Sequence, residues 1–138
     1  MSSEAGGVEH RAECCCGQLS LTFQGDVQRA SICHCFACQR RTGSAFGVQT
    51  RVERARVRIE GRSTRYDRPT DEGDHVAFHF CPVCGSTVWW EIPDFPDSVV
   101  VAVGAFADPG FKAPTFSVYE DRKHPWVVIP DTVTERWR

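Results

Sequence analysis

The chain has 138 residues, a formal net charge of −2 and a sequence pI of about 6.2. That is room for one domain with a single core, and there is no overall positive field to draw nucleic acid or an anionic membrane. No apolar run approaches the roughly 20 residues of a membrane span, and the opening MSSEAGGVEH lacks the basic and apolar blocks of a signal peptide, so the expected compartment is the cytoplasm.

In chain order, residues 1–12 are polar and are expected to form a flexible tail, with one folded domain over 13–138. The stretch ECCCG at 13–17 leads into QLSLTF at 18–23, which alternates with Leu19, Leu21 and Phe23 on one face and is turned by Gly25 and Asp26. CHCFAC follows at 33–38, and residues 36–41 are the one segment with a helical look, stopped by Gly43. Residues 54–60 alternate again, Ala55, Val57 and Ile59 against Arg54, Arg56 and Arg58. Residues 75–80, 87–91 and 99–103 are rich in branched and aromatic side chains and predict further strands. The prolines of IPDFPD at 92–97 and the ADPGF stretch at 107–111 mark loops. The expected fold is all-β.

Eight cysteines fall in three clusters: Cys14, Cys15 and Cys16; Cys33, Cys35 and Cys38; Cys81 and Cys84. A reducing compartment disfavours stable disulfides, and thiols one or two residues apart converge on an ion more readily than on each other. Soft thiolates select zinc or iron–sulfur; the half-sites C-x-C-G and C-x-x-C-G suit zinc, and the usual iron–sulfur spacings differ. A closed zinc site takes four ligands. Cys81 and Cys84 need a second pair, and Cys14 and Cys16 supply it, since alternate residues of an extended segment point the same way. Cys15 is then a spare, expected to be buried or half-buried. Cys33, Cys35 and Cys38 leave one position of a tetrahedron. Either His34, another histidine or Cys15 fills it, making the site structural, or it stays open for something else.

The order C-x-C-G, CHCFACQRRTGSAFG, FCPVCGSTVWW, a VGAF-D-P segment and a late KHPW resembles the glutathione-dependent formaldehyde-activating enzyme family, which also includes centromere protein V. The resemblance runs from about Glu13 to the C-terminus. It implies a β-tent (Mss4-like) fold of zinc-stapled sheets, a structural zinc on Cys14, Cys16, Cys81 and Cys84, and a catalytic zinc on Cys33, Cys35 and Cys38 with its fourth position left for a thiol or water. The implied activity is addition of glutathione to formaldehyde, giving S-hydroxymethylglutathione, a carbon–sulfur lyase reaction. Cys15 departs from the pattern.

An open zinc would hold a substrate thiol as its thiolate, and the alkoxide formed from the aldehyde would need a hydrogen bond, for which His34, Ser44 and a bound water are candidates. Glutathione carries two carboxylates, so Arg40, Arg41, Lys123 and His124 are candidate contacts and Trp89, Trp90 and Trp126 candidate walls, each set against the plainer role of solvated charge or core aromatic. The alternative is a non-catalytic zinc domain that binds glutathione, a protein or nucleic acid. Seven arginines between Arg51 and Arg68 form a basic ribbon, but acids interleave it. A redox couple of Cys81 and Cys84 is disfavoured because zinc claims both.

Overall fold

Strand alternation decides most of this fold, and sheet switching decides the rest. A computed structural model of the protein describes residues 7–137. The strands are β1 (Glu9–Glu13), β2 (Ser20–Gln24), β3 (Ala30–Cys33), β4 (Gly47–Glu53), β5 (Val57–Glu60), β6 (Thr64–Pro69), β7 (His75–Phe80), β8 (Thr87–Glu91), β9 (Ser98–Ala102), β10 (Phe116–Val118) and β11 (Glu135–Arg136). Among the described residues a single α-helix, α1 (Phe36–Thr42), interrupts them. β1, β2 and β5 make a small sheet, and the large sheet runs β11-β10-β3-β4-β9-β8-β7-β6. Pairing is antiparallel except where β10 lies parallel to both β3 and β11.

The chain crosses between sheets just after β4. There the alternation of 54–60 breaks, and only its second half is strand. Arg54–Arg56 form a 3-10 turn instead. The Arg54 N–H donates to the Asp97 carbonyl at 2.7 Å, and the Arg56 guanidinium pairs with Glu53 and reaches the carbonyls of Gln24 and Asp26. These contacts fix the corner that carries the chain from the large sheet to the small one. Val103, expected as the end of a strand, likewise opens a 3-10 turn, Val103–Phe106.

Four residues expected in the flexible tail, 9–12, are strand instead. Residues 9–12 belong to β1, fully registered against β2, with Ala12 buried. His10, placed in the tail by its polar surroundings, stacks on Phe23 with ring centroids 4.7 Å apart and lies 3.0 Å from the Gly25 carbonyl. Residues 1–6 lie outside the described residues.

Because strand neighbours face opposite ways, each face of the large sheet has its own task. One face carries Val52, Trp89, Val99 and Val101, joined by Val88 where a bulge in the β7–β8 pairing breaks the alternation, against Leu19, Leu21 and Phe23 of the small sheet, forming the main core. Each fully buried Leu, Val or Phe there contributes about 1.5–3 kcal/mol. The other face carries Val76, Trp90 and Val100, and they floor a cleft. Consecutive Trp89 and Trp90 therefore divide, one to the core and one to the cleft. Among the described residues no helix is long and apolar enough to cross a membrane.

Candidate metal centres and the cleft beside the second

The fold gathers the cysteines into two groups that could hold metal ions, and both are those expected from the spacing. In the first, Cys14, Cys16, Cys81 and Cys84 bring their sulfurs within 4.8 Å of one another. Cys14 and Cys16 are 3.6 Å apart and Cys16 and Cys81 3.7 Å, close to the ~3.8 Å edge of a tetrahedron with metal–sulfur bonds of about 2.3 Å. Gly17 and Gly85 turn the chain after each pair, at φ of 84° and 82°, where a side chain would be strained.

Hydrogen bonds hold the sulfurs in place. Cys14 accepts from the Leu19 N–H, and Cys81 accepts from the N–H groups of Val83 and Cys84 and, at 3.0 Å, from the Gln18 amide. The Ser86 hydroxyl is 3.5 Å from Cys84 and, with the Ser86 N–H, holds that thiol down at about 5. Cys14 and Cys81 sit inside the main core, so this group fastens the small sheet's leading segment to the loop after β7.

Cys15 is corrected by the structure: it is exposed rather than buried. Its backbone N–H donates to Ser86 at 3.1 Å, which fixes the residue as a link between the two half-sites while its side chain takes no part in the sulfur group.

The second group is Cys33, Cys35 and Cys38, again with sulfurs within 4.8 Å. Cys33 ends β3, Cys35 caps α1, and the Cys38 N–H donates to Cys35 Sγ at 3.3 Å. The three thiols share protons unequally. Cys35 is pushed far down by hydrogen bonds from Cys33, Cys38 and backbone N–H groups, and Cys33 is pushed up by the same neighbours and by burial. The donor set suits a soft metal, and within the described residues no fourth ligand joins it.

His34 does not close the site. It alternates away from Cys33 and Cys35 to a fully buried position, where Nε2 lies 3.1 Å from Ser117 Oγ and the ring stands edge-on to Phe46. Burial pushes its pKa below the ordinary value.

This group opens into a cleft of about 610 Å³ on the exposed face of the large sheet. Arg29, Arg41, Arg51, Arg68 and Arg122 line it against a single carboxylate, Asp71. Arg41 stands on α1, three residues after Cys38. Its guanidinium lies 4.2 Å above the Trp90 ring, and one of its terminal nitrogens is buried without a partner. Gly47 makes room for it, because a methyl there would stand 2.7 Å from Arg41 Nη2 and 3.5 Å from Cys38 Cβ.

Of the other candidates, Trp90 is a wall. Arg40 is exposed and Ser44 and Trp126 lie outside the lining. Lys123 donates to the carbonyls of His124 and Val127, and His124 Nε2 is 3.0 Å from Gln39 Oε1, so both brace the segment behind α1. The basic ribbon is not one surface: Arg54, Arg56, Arg58 and Arg65 pair with Glu91, Glu53, Glu60 and Asp67, whereas Arg51 and Arg68 turn into the cleft. Arg29, Arg51 and Arg68 were invisible as a set in sequence. The missed signal is the short alternation Arg29, Ser31, Cys33 against the buried Ala30 and Ile32.

A model of the glutathione-dependent formaldehyde-activating enzyme family matches residues 9–122. The chain belongs to this family. A crystal structure of a Rhodobacter sphaeroides protein superposes with a TM-score of 0.57 at 18% identity, covering 93% of this chain and 99% of that one, which establishes likeness of fold. No curated protein matches the chain. For this family member the fold is mostly β-sheet with one helix, and both cysteine groups fall on or within the matched span.

Proposed function

We propose that the protein is a zinc-dependent carbon–sulfur lyase that adds glutathione to formaldehyde, or a similar small aldehyde, with zinc held structurally by Cys14, Cys16, Cys81 and Cys84 and a second zinc held by Cys33, Cys35 and Cys38. The observation that carries this reading is the three-sulfur group, open at the end of a cationic cleft, in a chain of this family. Zinc bound there would present a substrate thiol as its thiolate near neutral pH.

The chain's own residues supply the rest. The floor of Trp90, Val100 and Phe78 keeps the reacting end apolar on one side, and the arginines draw a thiol whose tail is anionic. When the sulfur lone pair forms the C–S bond, the carbonyl π pair moves to oxygen, and that alkoxide takes a proton from water. Arg41, cationic and with a buried nitrogen unpartnered beside Cys38, is the group placed to stabilise the alkoxide. It replaces His34, whose Nε2 is committed to Ser117, and Ser44.

Formaldehyde and thiols combine without a catalyst, so the test is a rate above background. Magnetisation-transfer NMR on an equilibrated mixture of glutathione, formaldehyde and S-hydroxymethylglutathione should show faster exchange with zinc-loaded protein than without it. Exchange unchanged by the protein, with glutathione still bound, would reduce the site to the non-catalytic thiol-binding alternative.

A further inference from the structure

The cleft face of the β3–β4 ribbon is built in rungs. Cys33 stands opposite Gly47 and Ser31 opposite Gln49; continuing the register by one residue brings Arg29 opposite Arg51. Like charges directly across a pair of strands repel and weaken the sheet. Arg51 registers this repulsion: burial first, and the Arg29 charge next, push its guanidinium below the ordinary value. Elsewhere the protein pairs its strand and corner arginines with acids, as in Arg54 with Glu91, Arg65 with Asp67 and Arg136 with Glu120. Among the described residues neither Arg29 nor Arg51 has a carboxylate within ion-pair distance. Instead each is held over an aromatic ring, Arg29 at 4.4 Å from Phe116 and Arg51 at 3.7 Å from Phe95. The rings fix the cations in place without neutralising them.

The middle rung adds a second, independent observation. Gln49 donates to Ser31 Oγ at 2.9 Å, while its amide oxygen is buried and accepts nothing. A buried acceptor without a donor is costly, and a small turn of the Gln49 side chain, which lines the cleft, would offer that oxygen to an N–H of a ligand. From the sulfurs outward, the ribbon therefore presents a soft-metal site, then an amide acceptor, then two cations, the last about 13 Å along the strand from Cys33. That separation places the arginine rung well beyond anything attached to formaldehyde.

We propose that Arg29 and Arg51 form a carboxylate subsite for the C-terminal end of a peptidyl thiol, with Gln49 accepting the N–H of the peptide bond that follows the cysteinyl residue. The assignment rests on the thiol-binding reading above and narrows its substrate to cysteinyl peptides ending in a free carboxylate. It separates them from small neutral thiols.

The test is calorimetric titration of the zinc-loaded full chain, wild type, R51Q and R29Q, with glutathione, its glycine monoethyl ester, S-methylglutathione and 2-mercaptoethanol. A charge-assisted contact of this kind predicts about tenfold or more weaker binding of glutathione and S-methylglutathione to either variant. It also predicts a similar loss when the wild type meets the ester, and no further loss when the variant does. Binding of 2-mercaptoethanol should not change, and unchanged melting temperatures of the variants would exclude misfolding as the cause. Wild-type affinity of R51Q and R29Q for glutathione would overturn the subsite while leaving the thiol reading standing. If S-methylglutathione binds through the arginines but no thiol reaches the three-cysteine group, the subsite stands and the proposed function falls.

Discussion

The two sulfur groups use the same ligand type and teach opposite lessons about placement. The four-cysteine group draws its members from two segments far apart in sequence, Cys16 and Cys81 being 65 residues apart, and buries Cys14 and Cys81 among core side chains. The three-cysteine group comes from a single six-residue stretch at the end of β3 and the start of α1, and it faces a cleft. A long-range cluster joins parts of the chain that would otherwise separate, so the energy of a metal bound there would be folding energy. A local cluster closes almost no loop and would leave the energy of its metal for a ligand.

The most damaging break in this contrast is Cys81→Ser. Removing a fully buried ligand from the closed group should lower stability on the order of several kcal/mol and the melting temperature by roughly 10 °C or more, read by thermal denaturation of metal-loaded protein. Cys35→Ser is the counterpart: the domain should melt within a few degrees of wild type while metal analysis shows one site emptied and glutathione binding weakened to that of S-methylglutathione. Equal destabilisation by both substitutions would erase the division of labour.

Within the open site, Arg41→Gln should leave both metals bound and slow catalysed exchange by about 100-fold, the range seen when a group stabilising a developing oxyanion is removed. Gly47→Ala, which pushes on the Arg41 tip, should reproduce part of that loss. An exchange rate unaffected by either change would remove Arg41 from the chemistry.

The smallest effect expected concerns acid. Glu120, accepting from Arg136 at 2.7 to 3.0 Å, is held below the usual carboxylate range first by that guanidinium. A depressed folded pKa stabilises fully above the unfolded carboxylate value of about 4.3 and is lost as pH falls through the folded one. The pair ties β11 to the turn after β10, and β10 backs Cys33 through its pairing with β3. Acidification below about pH 4 should therefore loosen the strap carrying Trp137 before the main core, and Glu120→Gln should abolish that early step. Trp137-weighted fluorescence or hydrogen exchange between pH 5 and 3 would show it.

Much of this contrast was legible in sequence because ligand count and spacing are local facts. Two half-sites of two cysteines and one triplet fix the grouping, and alternation in QLSLTF fixes which face of β2 meets the core. What stayed hidden depends on neighbours in space. Cys15 was expected inside by its residue type, yet the turn between the half-sites points it out. His34 was a candidate ligand by adjacency, but strand alternation buries it against Ser117. The cationic cleft needed β3, β4 and β6 to be assembled before Arg29, Arg51 and Arg68 met, and β3 is only four residues long, too short for its pattern to stand out. The corner at Arg54–Arg56 was unreadable because its alternation continues through a segment whose backbone is committed to Asp97 and whose Arg56 side chain is committed to Glu53.

Cobalt substitution tests the central claim most directly. Protein loaded with two equivalents of cobalt should show two thiolate-rich tetrahedral absorptions, and glutathione should perturb only one of them, the one that Cys35→Ser removes and Cys38→Ser also removes. A spectrum in which glutathione moves neither band, or in which the responding band survives loss of Cys35, would contradict the account of one closed and one open site.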